Sequence, residues 1–496
     1  MTSLQHFEKL AGTIKLPNLA VVDGKLIAGR AGHTFEKVTP RNGKAIVKIA
    51  ELDAADVDVA VAAARAAFED GRWRHQHYRD KKKVLFKLAD LMERDAETLA
   101  LLESLDVGKP IRDTKAFDVP SAIRTLRYYA EALDKVNGEV GPETTDRVSL
   151  AVHEPLGVIG AIVPWNFPLH LAMWKIAPAL AMGNSMVVKP AEQSSMTALK
   201  VGELALEAGL PAGVLNIIPG AGRVAGTAIA KHMDVDMITF TGSGPVGKLL
   251  MKYSGESNLK RVSLELGGKS PHIVFADCPD LDAAAQHAAF GIFYNSGQVC
   301  TAGSRLLVHD SVADAFMEKL IKAAASVVPG DPLAPETTFG SMVSADQMKT
   351  VLGYIDTANK EGCALTHGGK RARIDSGGFY VEPTVFDKVK PDATLAQEEV
   401  FGPVLAVTRF KDADEALRIA NGTVFGLAAG LWTKDLTLAH RAARVLRAGL
   451  VWINGWDSCD ITMPFGGFKQ SGFGRDRSMH ALYKYADLKS ISITLR

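Results

Sequence analysis

Residues 157–190 have the sequence GVIGAIVPWNFPLHLAMWKIAPALAMGNSMVVKP. The first apolar run, GVIGAIVP, predicts a short buried strand, and the longer run that follows predicts a helix that closes on Gly183. SMVVKP predicts the next strand. The stretch therefore predicts a strand–helix–strand unit, the connection that joins neighbouring strands of a parallel sheet.

The same alternation continues as far as Gly268. VLNIIPG, MITFTGS and RVSLELGG predict three further strands with helices between them. A second series begins at Pro271, where HIVF, RLLVH, LAVTRF, GLAAGLW and LVWING are the strand candidates. Alternating strands and helices with short loops predict an α/β fold, with a doubly wound parallel sheet covered on both faces. Such sheets bind ligands at the carboxyl ends of their strands.

The flanking segments add helices and one unpaired strand. Residues 53–70 have the helical spacing of apolar residues, with Asp53 as the N-cap. Residues 81–104 predict one longer helix, which Gly108 ends. The chain closes with an alternating strand, LKSISITL, that has no partner beside it in sequence. It must pair elsewhere, and a neighbouring subunit is one candidate.

The composition is that of a globular protein. The chain has 496 residues, which at roughly 150 residues per domain predicts about three domains. Hydrophobic residues make up 47% and charged residues 23%, which excludes a disordered chain, a collagen-like fibre and a coiled coil. The 57 basic and 56 acidic residues give a net charge of +1. Without a charge excess, the chain has no broad electrostatic reason to bind nucleic acid or an anionic membrane.

The four cysteines predict a reducing compartment. None forms a CxxC pair, and four thiols spread over this length cannot staple a fold, so we expect a cytoplasmic protein. The N-terminal residues lack the apolar region of a secretory signal. Residues 155–174 and 283–304 carry no charge and approach the length of a membrane span, but their polar residues indicate buried interior. We expect no membrane span and no metal site.

Two segments are typical of nucleotide sites. Gly242, Gly244 and Gly247 match GxGxxG between a strand and a helix, where a phosphate-binding turn belongs, although such turns are common. A simple spacing rule then places an acidic ribose ligand near Glu265. The KPAE segment at 189–192 follows the second strand and offers a carboxylate to ribose hydroxyls. A surface lysine and glutamate at a helix start is the alternative interpretation.

Three side chains are candidates for covalent chemistry. Cys300 ends the uncharged segment FYNSGQVC; a nucleophilic thiol needs a lowered pKa and access, and a buried apolar cysteine is the alternative. Glu265 stands between Leu264 and Leu266, where desolvation would raise its pKa toward that of a general base, unless it forms an ion pair. The Asn166 amide in PWNFP could donate to an oxyanion, or could simply serve a proline-bounded turn.

Together these segments resemble the NAD(P)-dependent aldehyde dehydrogenases over nearly the whole chain. The matching segments are PWNFP, KPAE, FTGS, LELGGKSP, GQVC, EEVFGP at 398–403 and PFGGFKQSG at 464–472. The resemblance implies a dinucleotide-binding domain over 1–132 and 156–265 and a catalytic domain over 266–474. It also implies a β oligomerisation arm over 133–155 and 475–496, and hence a homo-oligomer, either a dimer or a homotetramer.

The resemblance also implies roles for single residues. Cys300 is the nucleophile and Glu265 is the general base, which replaces the ribose role that spacing gave to Glu265. Asn166 and the Cys300 backbone N–H form the oxyanion hole. The full implied catalytic set is Cys300, Glu265, Asn166, Lys175 and Asp476. The implied cofactor site comprises Val163, Pro164, Trp165, Lys189, Glu192, Gly222, Phe240, Gly242, Ser243, Gly247, Glu399 and Phe401. The implied substrate site comprises Phe167, Trp174, Tyr294, Val299, Thr301, Trp456, Asp457 and Phe465.

The implied reaction forms and then hydrolyses a thioester on the cysteine, with NAD as the cofactor and NADP possible. Glu192 would repel the 2′-phosphate of NADP, while Lys189 softens that repulsion. One residue departs from the family pattern. The glutamate that often follows Gly-Arg is Asp476 here, which is shorter by a methylene, so its role with Lys175 in a proton-exit route is in doubt.

The substrate prediction depends on the loop before PFGGFKQSG. In the family this loop lines the mouth of the aldehyde tunnel, and here it holds Trp456, Asp457 and Asp460. An ammonium at the far end of the aldehyde could bind Asp457 and lie over Trp456. The pattern resembles aminoaldehyde dehydrogenases of polyamine breakdown, in particular those acting on γ-glutamyl-γ-aminobutyraldehyde. The alternatives are a broad-specificity aliphatic or aromatic enzyme whose aspartates only cap turns, and a thiol hydrolase or acyltransferase without a redox cofactor.

Overall fold

A doubly wound sheet forms the first half of the fold. The computed structural model describes residues 3–142, 144–458 and 460–495. The five central strands of this sheet are parallel, and antiparallel strands flank them on both edges. In spatial order the eight strands are Lys25–Ile27, Ala20–Val22, Leu215–Ile217, Ser185–Lys189, Val158–Ile162, Met237–Thr241, Arg261–Glu265 and Gly472–Phe473. The predicted α/β class is confirmed.

The strand order places a crevice in the middle of this sheet. Val158–Ile162 is the first strand of the parallel series, and it lies between Ser185–Lys189 and Met237–Thr241. The chain passes from this strand to Ser185–Lys189 and Leu215–Ile217 and then crosses to Met237–Thr241 on its other side. The helices after Val158–Ile162 and Met237–Thr241 pack on opposite faces, so the loops after these two strands diverge at their carboxyl ends. One edge strand, Gly472–Phe473, comes from the segment predicted to belong to the catalytic domain.

Alternate residues of the parallel strands face opposite sides of the sheet. Met186 and Val188 join the apolar cluster on one side, and Val187 joins the cluster on the other. Helix Pro168–Ala181 packs on the first side and helix Ala54–Glu69 on the second. Burial on both faces explains why these strands are uniformly apolar in sequence instead of alternating.

A second sheet forms the other half of the fold. It has seven strands, of which the six after the first are parallel. In spatial order they are Ala364–His367, Thr384–Asp387, Val404–Phe410, Arg305–His309, Pro271–Val274, Ala428–Trp432 and Leu450–Ile453. Two small antiparallel strand pairs lie outside these two sheets: Thr34–Thr39 with Lys44–Ala50, and Arg371–Ala372 with Tyr380–Val381.

The final strand finds its partner within its own chain. Ala486–Thr494 pairs antiparallel with Arg147–Pro155 over nine residue pairs, and Glu139–Val140 adds a third strand. The neighbouring subunit that sequence offered as a partner is therefore not needed for this pairing. Within the described residues, the last strand forms one edge of this three-stranded sheet. Its exposed apolar side chains include Leu488 and Ile493.

The helices are mostly those predicted. Asp53 caps the helix that follows it, as expected, with its side chain accepting from the Ala55 and Asp56 N–H groups. The α-helices span Leu4–Thr13, Ala54–Glu69, Tyr78–Arg94, Ala96–Val107, Ile111–Asp113, Val119–Ala132, Pro168–Ala181, Met196–Ala208, Thr227–Lys231, Gly244–Glu256, Leu281–Phe293, Asp310–Ala325, Ala345–Lys360, Thr394–Gln397, Ala413–Asn421, Leu436–Val445 and Ser478–Lys484. In the described ranges, no helix combines the length and apolar character needed to span a bilayer.

One predicted helix is divided in two. The single helix expected over 81–104 is broken at Asp95, which ends Tyr78–Arg94 and begins Ala96–Val107. The Asp95 carboxylate accepts a 2.7 Å hydrogen bond from Arg94 Nε. Aspartate disfavours helix interiors because its short polar side chain bonds locally, which explains the break. Gly108, with φ +73°, ends the second helix as predicted.

Candidate functional site

A cavity of about 300 Å³ opens at the carboxyl ends of the first sheet, between it and the second half of the chain. The predicted nucleophile, base and oxyanion amide line it together with predicted cofactor residues. Its lining comprises Pro164, Trp165, Asn166, Thr241, Gly242, Ser243, Glu265, Leu266, Gly267, Cys300, Gln347, Thr350, Tyr354, Glu399, Val400 and Phe401. Loops after different strands thus bring distant segments to one place, as expected for a doubly wound sheet.

Cys300 reaches the cavity from a tightly turned loop. Asn295 and Ser296, with φ +49° and +55°, turn the chain sharply after helix Leu281–Phe293. Burial raises the pKa of the Cys300 thiol, and the nearby carboxyls of Glu265, Glu399 and Asp457 raise it further. A nucleophilic thiol needs a lowered pKa, and the surroundings of Cys300 have the opposite effect. The thiol is protonated in this arrangement and needs a base to become a nucleophile.

Glu265, the predicted base, lines the cavity. It is the last residue of its strand and is 3% exposed. Within the described residues, neither of its carboxyl oxygens has a hydrogen-bond partner. Burial raises the pKa of Glu265 well above its usual value, and the charge of Asp476 adds to this effect. A carboxylate that accepts a proton readily near neutral pH is what general-base chemistry requires.

Asn166 ties its loop to the cysteine loop. Its Nδ2 donates to the Gln298 carbonyl at 3.0 Å, and the Asn295 Nδ2 donates to the Asn166 carbonyl at 2.9 Å. A primary amide carries two N–H donors, so one remains for a second acceptor. The two loops that would supply oxyanion donors are therefore fixed relative to each other.

Asp476 and two lysines form a buried charged group whose charges act on Glu265. Asp476 accepts from Lys175 on one oxygen and from Lys484 on the other. Burial alone would raise the pKa of Asp476, but the two ammonium groups hold it below its usual value. The shorter aspartate therefore still reaches Lys175, which answers the structural part of the doubt raised by sequence. No motif marked Lys484, and only the fold brings it to Asp476.

The predicted phosphate-binding turn, residues 242–247, leads into a helix, and its residues Gly242 and Ser243 line the cavity. Helix Gly244–Glu256 begins directly after Ser243, whose side chain does not cap it. The first N–H groups of this 13-residue helix therefore remain available to an anion. A Cβ on Gly247 would stand 2.8 Å from Leu266, so this glycine permits close packing of helix on strand and does not line the cavity.

Two more predicted cofactor residues lie behind the cavity wall. Val163 is 3% exposed and its N–H donates to the Lys189 carbonyl, which joins the first two parallel strands. Phe240 is 4% exposed, and its ring fills the place that a Cβ on Gly242 would take. Both side chains pack into the apolar clusters, and their contact with the cofactor remains a prediction.

Glu192 accepts hydrogen bonds from Lys189 and Gly222, and none of the three residues lines the cavity. The Glu192 Oε1 accepts from the Gly222 N–H at 2.7 Å, and its Oε2 accepts from Lys189 Nζ at 3.3 Å. Burial opposes ionisation of Glu192, but the Lys189 ammonium and the Gly222 N–H hold its pKa below the usual value. Glu192 is thus a fixed carboxylate beyond the second strand, where an adenosine ribose would lie.

Glu399 occupies the cavity beside two glycines. Its Oε1 accepts from the Gly268 N–H at 2.8 Å, and a Cβ on Gly267 would overlap the carboxyl group at 1.8 Å. Burial raises the pKa of Glu399 to about 7. Phe401 lies edge-on to Trp165, with ring centroids 5.2 Å apart. Both residues of the implied cofactor site therefore line the cavity.

The predicted substrate residues meet next to the nucleophile. Phe167, Trp174 and Phe465 belong to one apolar cluster, against which Tyr294, Val299 and Cys300 pack. We call Phe167, Trp174, Tyr294 and Phe465 the aromatic wall. Thr301 is buried directly after the cysteine. Sequence analysis missed Phe117, which is 38% exposed and lies edge-on to the Phe167 and Tyr294 rings at 6.3 and 6.4 Å.

Trp456 does not face a ligand directly. Its indole is 5% exposed and stacks on His272, with centroids 4.7 Å apart and planes 4° from parallel. Trp452 packs against it, and a Cβ on Gly430 would come within 2.6 Å of the indole. The expected contact between this ring and a substrate ammonium is therefore corrected: Trp456 supports the aromatic wall from behind.

The two aspartates of the loop behave differently. Asp460 caps its own turn, accepting from the Thr462 N–H at 2.9 Å and from the Thr462 hydroxyl at 2.7 Å. Asp457 is accessible to solvent although protein surrounds it closely, and this crowding raises its pKa to about 6. Its charge raises the pKa of both Cys300 and Tyr294. Asp457 is therefore near Cys300 and Tyr294, whereas Asp460 is held in its own turn.

The comparison with protein families decides the identity. The family described as "Aldehyde dehydrogenase family" matches residues 27–491. The chain belongs to the aldehyde dehydrogenase family. It is an oxidoreductase that oxidises aldehydes, as the resemblance implied.

Individual relatives of this aldehyde dehydrogenase match over the full length. The "NADP/NAD-dependent aldehyde dehydrogenase PuuC" of Escherichia coli is 49% identical over 492 residues, 99% of each chain. The solved "Gamma-glutamyl-gamma-aminobutyraldehyde dehydrogenase" of Burkholderia cenocepacia is 54% identical, with a TM-score of 0.98 over 100% of both chains. The P. syringae indole-3-acetaldehyde dehydrogenase AldA, solved with NAD⁺ and IAA, is 50% identical, with a TM-score of 0.99 over 100% of both chains.

The enzyme's cavity also contains residues that sequence analysis missed. Gln347, Thr350 and Tyr354 line it from helix Ala345–Lys360. Gln347 Nε2 donates to the Phe401 carbonyl at 2.9 Å and so fixes the loop of Phe401. No sequence signal could have found them, because this helix is ordinarily amphipathic and carries no motif. In the described part of the chain, no cluster of three or more His, Cys, Asp or Glu could hold a metal ion.

Proposed function

We propose that this aldehyde dehydrogenase oxidises ω-amino or γ-glutamylamino aldehydes to carboxylic acids, with Cys300 as the nucleophile. The observation that carries the proposal is the position of Asp457. Its carboxyl is close enough to Cys300 and to Tyr294 of the aromatic wall to raise their pKa values. A carboxylate there can hold the ammonium of a substrate whose apolar stem runs along the wall. The names of the E. coli and B. cenocepacia relatives support this chemistry.

The residues present fit NAD or NADP. The uncapped terminus of helix Gly244–Glu256 suits a pyrophosphate, and Ser243 lies beside it. Lys189 and Glu192 would hold the adenosine ribose, while Glu399 and Phe401 would orient the nicotinamide end. When bound, the cofactor supplies the hydride acceptor that the reaction needs.

The first half of the reaction depends on three residues. Glu265 accepts the proton of the Cys300 thiol, whose raised pKa otherwise keeps it protonated. The thiolate sulfur then forms a bond to the aldehyde carbon, and the carbonyl electrons move onto the oxygen. The free N–H of the Asn166 amide and the Cys300 backbone N–H stabilise that oxyanion, each worth about 3 kcal/mol. Loss of the carbon-bound hydrogen as hydride leaves a thioester on Cys300.

The second half is hydrolysis of the thioester. Glu265 first releases the proton that it took from Cys300 and then removes a proton from water, and the resulting hydroxide adds to the thioester carbon. The carbon–sulfur bond breaks, the carboxylic acid leaves, and Cys300 recovers its proton. Asp476 with Lys175 and Lys484 forms a charged route behind Glu265, along which a proton can leave the buried site.

The position of Glu192 predicts a preference for NAD. We expect Glu192→Gln to raise kcat/KM with NADP relative to NAD by about 10-fold, because it removes the repulsion of the 2′-phosphate, and a tenfold change corresponds to about 1.4 kcal/mol. Steady-state kinetics with both cofactors measure the ratio. Glu203→Gln, half-buried on helix Met196–Ala208 and outside the cavity lining, is the control. The same cofactor ratio in wild type and Glu192→Gln would contradict a discriminating role.

The position of Asp457 predicts a preference for charged aldehydes. We expect Asp457→Asn to reduce the kcat/KM advantage of 4-aminobutyraldehyde over hexanal by about 1–3 kcal/mol, the scale of a charge-assisted hydrogen bond. Because crowding by protein raises the pKa of Asp457 to about 6, the preference should grow as pH rises through that value and the carboxyl ionises. Asp460→Asn is the matched control, since Asp460 only caps its turn. A preference that survives Asp457→Asn would argue against this site.

A broad-specificity enzyme is the second candidate. The aromatic wall favours it, since apolar rings accept aliphatic and aromatic stems alike, and the P. syringae relative is named for an indole aldehyde. Equal kcat/KM for hexanal and the aminoaldehydes would select it. The thiol hydrolase or acyltransferase alternative is wrong, because the chain belongs to an oxidoreductase family.

We also propose that the three-stranded sheet is an oligomerisation arm and that the enzyme is a dimer or tetramer. The last strand forms a sheet edge, and its Leu488 and Ile493 side chains are 60% and 46% exposed. An open edge with apolar side chains is a surface that another chain can cover.

A cytoplasmic location is supported by the free thiols of Cys278, Cys300 and Cys363, while Cys459 lies outside the described residues.

A further inference from the structure

Two buried nitrogen atoms at the aromatic wall lack hydrogen-bond partners. Within the described residues, neither Trp174 Nε1 nor His170 Nδ1 is paired, and both residues are only 5% exposed. Leaving a buried polar atom unpaired costs free energy, because the atom gives up its bond to water and gains none in return. Buried polar atoms in proteins are nearly always paired, so two neighbouring exceptions indicate a place where a ligand supplies the missing partner.

His170 and Trp174 are neighbours on one face of a helix. They are four residues apart on Pro168–Ala181, and their ring centroids are 5.0 Å apart. Trp174 belongs to the apolar cluster against which Cys300 packs. The guanidinium carbon of Arg477 lies over the Trp174 ring, 5.0 Å from its centroid. The arginine contacts the ring face, whereas the unpaired indole N–H is at the ring edge.

His170 is a neutral imidazole in this setting. Burial lowers its pKa well below the usual value, and the positive charges of Arg477, Lys109 and Arg124 act in the same direction. A neutral imidazole carries one proton, which either ring nitrogen can hold. With the proton on Nδ1, His170 is a second N–H donor beside the indole N–H of Trp174.

Phe117 covers His170 at the surface. Its ring lies edge-on to His170, with centroids 5.4 Å apart, and it is 38% exposed. It also contacts the rings of Phe167 and Tyr294 edge-on. Phe117 belongs to a π-helical turn, Thr114–Asp118, a conformation that is rare and often found at functional sites. A substrate stem that displaces this exposed ring would reach the two unpaired nitrogen atoms.

We propose that Trp174 Nε1–H and His170 Nδ1–H form a two-donor subsite for the amide carbonyl of an N-acylated aminoaldehyde. A carbonyl oxygen has two lone pairs, so one oxygen can accept from both donors. The amide is the group that γ-glutamylamino aldehydes have and simple aminoaldehydes lack. This inference rests on the proposed function, since it specifies which group of the substrate stem the same enzyme recognises.

The length of the stem is compatible with this position. In γ-glutamyl-γ-aminobutyraldehyde five bonds join the aldehyde carbon to the amide carbonyl carbon, and they span about 6 Å, because three extended chain bonds span about 3.5 Å. Trp174 and Cys300 pack in the same apolar cluster. An aldehyde carbon bound to Cys300 would therefore place its amide next to the wall, with no need for a longer stem.

The first test is the ratio of kcat/KM for 4-acetamidobutanal to that for heptanal, two uncharged aldehydes of equal chain length. We expect Trp174→Phe to lower this ratio at least about 10-fold, the scale of one lost hydrogen bond in a buried site, because it keeps an aromatic ring but removes the N–H. Trp452→Phe is the matched control and should keep the wild-type ratio. Trp452 lies in the same apolar cluster, but its Nε1 already donates to the Ser458 carbonyl at 3.1 Å.

Two variants of His170 test the second donor. His170→Leu should lower the same ratio, while His170→Asn should lower it less, because the asparagine Nδ2 can stand near the position of the imidazole Nδ1 and donate. Because each ratio compares two substrates on one variant, a partial loss of folded enzyme cancels. A ratio that neither Trp174→Phe nor His170→Leu changes would overturn the subsite.

A ketone separates the carbonyl from the amide N–H. In 6-oxoheptanal the carbonyl occupies the same chain position as in 4-acetamidobutanal, and there is no N–H. We expect Trp174→Phe to reduce its kcat/KM relative to heptanal as well. A loss confined to 4-acetamidobutanal would show that the amide N–H is recognised instead, and would overturn the two-donor assignment.

A binding measurement accompanies the kinetics. Cys300→Ala, titrated calorimetrically with N-(4-hydroxybutyl)acetamide, should lose at least about 10-fold in affinity when Trp174→Phe is added, while heptan-1-ol should lose less. An equal loss for both ligands would leave Trp174 as wall packing only. The proposed function has a separate result, because 4-acetamidobutanal carries no charge for Asp457 to bind. It fails if hexanal is oxidised as well as the aminoaldehydes, whatever the Trp174 and His170 variants do.

Discussion

Cys300→Ala is expected to abolish aldehyde oxidation, with a loss of at least about 10⁴-fold in kcat, the scale seen when a covalent nucleophile is removed. The physical reason is that Cys300 is the one thiol among the described residues that lines the cavity, and the alanine methyl group cannot form a covalent adduct. The measurement is the absorbance of the reduced nicotinamide after NAD and an aldehyde are mixed with the variant.

The variant should still bind NAD, since the helix terminus and the Glu192 carboxylate lie on a different part of the site. Calorimetric titration with NAD provides this control, and Cys278→Ala and Cys363→Ala are matched thiol replacements outside the cavity. Retention of wild-type kcat by Cys300→Ala would refute the assignment of the nucleophile.

Glu265→Gln is expected to slow steady turnover by more than about 10²-fold, the contribution typical of a general base. The amide keeps the size of the side chain but cannot accept the proton of water or thiol. If thiolate formation survives through another acceptor, the thioester on Cys300 accumulates, because hydrolysis is the step that needs a base most. Mass spectrometry of the intact protein after aldehyde and NAD are added measures that acyl adduct.

The pH dependence provides a second measurement on Glu265. Burial and Asp476 raise its pKa well above the usual value, so the carboxylate form is scarce at low pH and grows as pH rises. Turnover of the wild type should therefore increase with pH through the raised pKa, and this dependence should be absent in Glu265→Gln. An unchanged steady-state kcat in Glu265→Gln, with the same pH profile, would exclude the base role.

Much of the fold could be predicted from local patterns. Apolar runs bounded by turns located the parallel strands, and an aspartate or glycine at the right place located several helix ends. These signals are local, because strand and helix periodicity and capping depend on residues within a few positions of each other. The break at Asp95 was missed because a single polar residue within a helical pattern is compatible with either outcome.

Much of the site could also be predicted from the sequence, because each motif holds a reactive side chain within a few adjacent residues. PWNFP, LELGG, GQVC and EEVFGP supplied Asn166, Glu265, Cys300 and Glu399, and the structure brings these four to one cavity. Their roles remain predictions that the variants above will test. The raised pKa of Cys300 could not be predicted, because desolvation and nearby carboxyls depend on which distant segments surround the thiol.

The sequence by itself determined the family, the α/β class and the segments that form the site, because each is encoded in short stretches of chain. Tertiary structure alone decided which side chains face the ligand. It enclosed Trp456 against His272, paired Asp476 with Lys484 and brought helix Ala345–Lys360 to the cavity. It also set Arg477 on the aromatic wall. Burial and long-range contact depend on residues far apart in sequence, whose meeting no local pattern records.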